Sequence, residues 1–268
     1  MAKSIISAVN VVKRFGSVEA VKGISFDVKQ GEIFAFLGPN GAGKSTTIKM
    51  LTTMLRPTSG QLILAGHDVT RERDNARKAF GIVFQDPSLD EELTAYENMD
   101  LHASLYHMPK AVRPKMIRQL MELVELWERQ SSLVRTFSGG MRRRLEIARG
   151  LLHEPRILFL DEPTLGLDTQ TRNLMWDYVK KLSHEKGMTI FFTTHYLDEA
   201  EAVAERIAII DHGLIVARGT SAELCHQTKT KTLEEAYLKL TGETLRDEAS
   251  SDNNGLNFKT ALRNKRLG

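Results

Sequence analysis

Apolar and polar positions alternate over residues 24–28, with Ile24, Phe26 and Val28 on one side, as in a strand buried on a single face. A turn at Lys29, Gln30, Gly31 and Glu32 leads into Ile33–Leu37, an unbroken apolar run that predicts a strand covered on both faces. After a glycine-rich loop, Ile48, Leu51 and Leu55 recur at helical spacing and predict a helix over Thr46–Leu55. Strands are predicted at Gln61–Ala65 and Gly81–Phe84. From about residue 86 to 136 strand-like runs stop, Met116, Leu120, Leu123 and Leu126 repeat at helical intervals, and Thr94 with Glu97 has capping-box spacing. This stretch reads as a helical insertion into an α/β core.

The core pattern then resumes. Helices are predicted near 140–152 and 170–182 and from about Leu197, with strands at Ile157–Leu160 and Thr189–Thr193. Ile207–Ile210 and Leu214–Ala217, joined through Asp211, His212 and Gly213, predict a hairpin. Strands separated by helices imply parallel pairing, while the hairpin and the N-terminal alternating strands add antiparallel pieces. One domain is expected over residues 1–228, with its helical part at about 86–136, followed by a C-terminal extension over 229–268. Thr232 and Glu235 are spaced to cap one more helix ending near Gly242. Residues 243–268 are polar, and the last ten carry Lys259, Arg263, Lys265 and Arg266 with no acid. A disordered tail and a contact with a membrane surface or a partner are both open there.

Composition changes this picture little. Hydrophobic residues are 41% and charged residues 26% of 268, an ordinary globular balance. A net charge of +3 gives no dominant basic face, so no nucleic-acid partner is expected. Cys225 is the sole cysteine, which excludes an internal disulfide framework and a multi-cysteine zinc site and fits a reducing compartment. The N-terminal residues lack a signal-peptide apolar stretch, and the apolar runs fall far short of the ~20 residues that cross a bilayer. A soluble chain is expected, with membrane association only through a partner.

The chemistry is concentrated in a few places. Gly38, Pro39, Asn40, Gly41, Ala42, Gly43, Lys44 and Ser45, with Thr46 next, fit G-x-x-x-x-G-K-[ST] between a predicted strand and a predicted helix. Such a loop turns its N–H groups around phosphates, and the helix N-terminus adds its positive end. Lys44 supplies a cation for the β- and γ-phosphates, and Ser45 offers a hydroxyl to Mg²⁺. The apolar strand at Ile157–Leu160 ends in Asp161 and Glu162, which suit a Mg²⁺ partner and a general base for the attacking water. Ser138, Gly139 and Gly140 precede a helix and make a second place where a γ-phosphate could be held. One nucleotide needs only one such loop in its own chain. A dimer in which each copy covers the other's nucleotide needs both.

Together these residues resemble the ATP-binding cassette (ABC) family over roughly residues 4–228. Gly38–Thr46 matches its Walker A loop, Leu160–Pro163 its Walker B segment, and Phe137–Met141 its signature sequence. Gln85 matches the Q-loop glutamine, Leu165–Asp168 the D-loop and His195 the switch histidine, while Phe15 falls where the family stacks an aromatic ring on adenine. The resemblance implies a P-loop NTPase with a mainly parallel core sheet, an antiparallel β subdomain and an inserted helical subdomain. It implies that Ser45, Gln85 and Asp161 hold Mg²⁺, that Glu162, His195 and Lys44 serve hydrolysis, and that Asp168 lies in the D-loop. Ser138–Gly140 would then close on the nucleotide of the opposite subunit. Phe137 and Met141 depart from the usual leucine and glutamine, leaving Ser-Gly-Gly intact. That variant and Thr232–Gly242 resemble the drug- and polysaccharide-exporting branch of daunorubicin-resistance type.

The expected function is therefore the ATP-hydrolysing motor of an exporter. It would work as a head-to-tail dimer with itself or a homologous subunit, at the cytoplasmic face of the membrane, through an integral-membrane permease. An importer ATPase and a non-transport ABC ATPase are the alternatives. The run Arg142–Arg144 lies on the helix behind the signature and gives no reason to add nucleic acid.

Overall fold

β1 (Ser4–Phe15) and β2 (Val18–Lys29) pair antiparallel in a computed structural model that describes residues 4–242. The polar tail at 243–268 lies outside the described residues. β3 (Ile33–Leu37) follows the turn at Gly31 and runs into helix α1 (Lys44–Leu51). β4 (Ser59–Leu64) and β5 (His67–Asp68) complete an antiparallel sheet ordered β2-β1-β4-β5. After α2 (Arg73–Lys78) and β6 (Phe80–Val83) come α3 (Ala95–Leu105), α4 (Arg113–Leu123) and α5 (Gly139–Gly150). The rest alternates: β7 (Ile157–Asp161), α6 (Thr169–Lys186), β8 (Thr189–Thr194), α7 (Leu197–Val203), β9 (Arg206–Asp211), β10 (Leu214–Gly219), α8 (Ser221–Thr228) and α9 (Leu233–Thr241).

The second sheet is ordered β10-β9-β3-β8-β7-β6, parallel throughout except for the β9–β10 hairpin. Its interior strands β3, β7 and β8 are buried at every position, which is why their centres, Ile33–Leu37, Ile157–Leu160 and Ile190–Phe192, are written as unbroken apolar runs. Their side chains divide by parity between two cores. Ile33, Ala35, Leu37, Leu158, Leu160, Ile190 and Phe192 face the helices, while Phe34, Phe36, Ile157, Phe159 and Phe191 face the antiparallel sheet and α1. On that second side Phe26 lies 5.9 Å, 5.5 Å and 5.9 Å from the rings of Phe34, Phe36 and Phe191, which ties the two sheets together.

Several predicted ends shift for identifiable reasons. α1 stops at Leu51 rather than Leu55 because Thr53 takes a left-handed backbone, φ 63°. Thr94 makes the full capping box: its hydroxyl accepts from Glu97 N, and Glu97 Oε2 accepts from Thr94 N at 2.7 Å. Thr232 makes half of one, because Glu235 Oε2 accepts from Lys231 N instead. The long strand β1 and helix α8, capped by Thr220 and Glu223, were not foreseen. Between β6 and β7 the described chain is helical, and the buried faces of α3 and α4 join the core under the parallel sheet. Among the described residues no helix is long and apolar enough to cross a membrane.

Candidate functional site

Three neighbouring parallel strands, β3, β8 and β7, deliver the loop, His195 and the acid pair to one end of the sheet. At the start of the loop, a Cβ on Gly38 would sit 2.1 Å from Ile210 O, so only glycine lets β3 leave the sheet there. Gly43 has φ 104°, and a Cβ on it would lie 2.7 Å from Ala20 O. It also serves as N-cap of α1 with no side-chain cap, leaving the first-turn N–H groups of the helix turned to the loop. Ala20, Asn40, Gly41, Gly43, Lys44, Ser45, Thr46, Gln85 and Glu162 line the resulting cleft of about 320 Å³.

Lys44, Ser45 and Glu162 on its wall meet the buried Asp161 and His195 behind it. Ser45 Oγ donates to Asp161 Oδ1 at 3.1 Å, and Thr193 Oγ1 donates to the same oxygen at 2.7 Å. Lys44 Nζ lies 3.0 Å from Glu162 Oε1 and donates to the carbonyls of Gly38 and Pro39 at 2.8 Å and 3.1 Å. His195 Nδ1 is 3.2 Å from Glu162 Oε2, within ion-pair range but poorly aligned for a hydrogen bond. The two adjacent carboxyls titrate in opposite directions. Burial pushes Asp161 up, only partly offset by the Thr193 and Ser45 hydroxyls. Burial also pushes Glu162 upward, but the adjoining His195 nitrogen and the Lys44 ammonium outweigh it and bring the carboxyl from 4.5 down to about 2. Glu162 also has φ 46°, a left-handed backbone rare outside glycine, with its N–H held by Thr193 Oγ1 at 3.0 Å.

The remaining expected residues lie elsewhere. Phe15 ends β1 as an exposed ring, 47% accessible, with Lys13 Nζ 5.0 Å from its centroid. It is therefore not a core side chain. Ser138 caps α5, its Oγ accepting from Met141 N at 3.3 Å, and both Ser138 and Gly139 are exposed. Gly140 is buried against α6: a Cβ there would meet Thr171 Cγ2 at 2.1 Å. Gly139 borders a separate cleft with Leu165, Gly166 and Leu167, so the chain does not fold the signature onto its own phosphate loop. Asp168 caps α6, accepting from Thr171 N at 2.9 Å and Thr171 Oγ1 at 2.7 Å.

Two groups escaped sequence reasoning. Thr193, which braces both acids, carries no distinguishing signal in an apolar strand. Arg143 was read only as part of a basic run, yet it is buried and bonded to the backbone around Glu162, whereas Arg142 pairs with Glu91 and Arg144 with Glu125. Its ion pair with Glu146 at i,i+3 was the available clue.

The profile of the family described as ABC transporter matches residues 21–165. The chain belongs to the ABC transporter family. It is 42% identical over 229 residues to the linearmycin resistance ATP-binding protein LnrL of Bacillus subtilis (strain 168), covering 85% of this chain and 73% of that one. It is 45% identical over 219 residues to the daunorubicin/doxorubicin resistance ATP-binding protein DrrA of Streptomyces peucetius, covering 82% of this chain and 66% of that protein, just under two thirds of its length. Among solved structures, an ATP-binding subunit of an ABC transporter superposes with a TM-score of 0.79 at 29% identity, over 88% of this chain and 99% of that one. The bacterial ABC transporter cassette MJ0796, solved as a dimer, gives 0.72 at 29% identity over 80% and 98%. The same cassette in a post-hydrolysis state with ADP and Pi gives 0.71 at 28%. This ABC cassette is accordingly an ATP-binding ATPase with the family's α/β fold.

Proposed function

We propose that this cassette is the motor subunit of an exporter, and that Lys44, Ser45, Asp161, Glu162 and His195 carry out its hydrolysis. The observation that supports this reading best is that Lys44, Ser45 and Glu162 line one cleft, with Asp161 and His195 in contact with them, while Ser138 and Gly139 stay exposed away from it. Gly38–Thr46 would wrap the phosphates and Phe15 would stack on the base. A hydroxyl and a carboxylate oxygen 3.1 Å apart, with Gln85 on the same wall, suit a hard cation. When bound there with the nucleotide, Mg²⁺ would neutralise charge on the phosphate oxygens. Lys44 would transfer from Glu162 to the β- and γ-phosphates. The freed carboxylate would take a proton from water as that water attacks the γ-phosphorus and the bridging bond from that phosphorus to the β-phosphate oxygen breaks, releasing ADP and inorganic phosphate, with His195 donating to a γ-phosphate oxygen.

Two copies would meet head to tail, Ser138–Gly140 of each covering the nucleotide of the other. The partner driven by this closure would be an integral-membrane permease, with the cassette peripheral at the cytoplasmic face. Its docking surface would lie on the helical part at about 86–136, where Leu101, Leu105 and Tyr106 are exposed, and on the Gln85 region, where exposed Met54 lines a cleft with Gln85. The names of the relatives, resistance proteins for linearmycin and for daunorubicin or doxorubicin, support export as the direction. The test is Glu162→Gln: ATP binding should persist, steady-state hydrolysis should fall at least a hundredfold, and a dimer should accumulate with ATP by light scattering. Retained turnover would overturn the assignment of Glu162.

A further inference from the structure

α5 starts at the exposed signature and, one turn later, buries Arg143 at 7% exposure behind Glu162. The guanidinium spends four of its N–H donors on two loops and one acid. Nε donates to Pro163 O at 2.7 Å, one terminal nitrogen to Glu162 O at 3.2 Å, and the other to Phe84 O and to Glu146 Oε2, the last at 3.0 Å. Glu146, also buried, accepts through Oε1 from Ser88 N at 2.8 Å and Ser88 Oγ at 3.3 Å. Arg143 and Glu146 thereby grip the chain on both sides of Gln85, at Phe84 and Ser88. Arg143 also holds the carbonyl side of Glu162, whose N–H side is held by Thr193. Glu162 sits in a left-handed backbone that is uncommon for an L-residue, and these two bonds help hold its peptide groups there.

We infer that Arg143 is a positioning residue that couples the signature end of one subunit to the base and the Q-loop glutamine of that same subunit's own site. The inference rests on the proposed roles of Ser138 and Glu162. A shift of α5 as its N-terminus grips the partner's nucleotide moves the guanidinium, and with it the carbonyl of Glu162 and the stem of Gln85. The two sites of a dimer would then report to each other through a buried ion pair rather than through solvent. Lysine cannot replace arginine here, because a single ammonium does not span three carbonyls on two loops.

The test uses the full chain with Mg²⁺-ATP for turnover and the fluorescent analogue TNP-ATP for binding. Two variants are compared, Arg143→Lys and the pair Arg143→Met with Glu146→Met, which removes both buried charges together. Expected are a fall in kcat of about tenfold or more, with KM and TNP-ATP affinity within about threefold of wild type. Combined with Ser138→Ala, Arg143→Lys should lower kcat no more than about threefold beyond the worse single variant, as for residues acting in one linkage. Unchanged kcat in either variant, additive losses with Ser138→Ala, or a loss that tracks the folded fraction by circular dichroism in both variants would overturn the inference. Glu162→Gln run alongside separates the two levels. If that variant still turns over, the functional reading fails. If it is inactive while the Arg143 variants are normal, only the coupling fails.

Discussion

Replacing Glu162 by glutamine should cost stability in the absence of nucleotide, and the size of the loss follows from the cleft. The Glu162 carboxylate is 7% exposed, 3.0 Å from Lys44 Nζ and 3.2 Å from His195 Nδ1. Burial alone would raise it, yet it is held near 2 against an ordinary 4.5. At about 1.4 kcal/mol for each pH unit, the ionised carboxylate contributes about 3 kcal/mol at neutral pH, a large part of a net stability of about 5–15 kcal/mol. A carboxyl whose folded pKa is depressed gives its full contribution above the unfolded value, and the contribution is lost as pH falls toward the folded one. Glutamine keeps the shape and loses the charge. Urea unfolding of the two proteins without added nucleotide should therefore differ most at about pH 7, with the gap closing between about pH 4.5 and pH 2. Mg²⁺-ATP should reverse the order, because in the variant Lys44 can turn to phosphate without leaving a carboxylate unpaired. Equal urea midpoints at neutral pH, or a gap that stays constant on acidification, would refute the reasoning.

Other outcomes follow from single contacts. Gly38→Ala should lose about 3 kcal/mol in thermal or urea unfolding, because its Cβ would overlap the Ile210 carbonyl of β9 and neither backbone can yield cheaply. Phe15→Ala should leave the melting temperature within about a degree, since the ring is exposed, while raising the KM for ATP about tenfold with little change in kcat. Thr94→Ala breaks the capping box of α3 and should cost about 1 kcal/mol, with ATP hydrolysis by the isolated cassette unaltered.

What could be read from the sequence was whatever the local chain itself dictates. β3 throughout and β7 up to Leu160 are apolar because the sheet is covered on both sides there, so their runs were visible without partners. Thr94 and Glu97 bond within one turn, so their spacing carried the cap. β1 escaped because Asn10 at φ 47° and several register shifts break its alternation, and its pairing with β2 and β4 is what makes it a strand. The phosphate loop was legible because Gly38 and Gly43 have no substitute at their backbone positions. Arg143 was not, since its acceptors at Phe84, Glu162 and Pro163 are main-chain carbonyls that any residue would supply. Thr193 was hidden for a related reason: a hydroxyl in a buried strand is informative only once Asp161 and the Glu162 amide are found beside it.

The contact that stabilises Glu162 also disables it. A carboxylate held near 2, against the pull of burial, by the His195 nitrogen and the Lys44 ammonium is a poor proton acceptor, so while Lys44 sits 3.0 Å away the proposed base is weakened by both cationic neighbours. Lys44 has two competing sets of partners, the Glu162 carboxylate with the Gly38 and Pro39 carbonyls on one side and phosphate oxygens on the other. Only a ligand carrying enough negative charge at the loop can draw the ammonium off. In the proposed mechanism its departure would remove the Lys44 share of that depression and so raise the basicity of Glu162 when a γ-phosphate is in place beside it. Selectivity for the triphosphate and activation of the base would thus be one event, the movement of a single side chain. Lys44→Ala should therefore weaken ATP binding and yet leave Glu162 with a higher pKa than in wild type, opposite effects that a merely structural lysine would not produce.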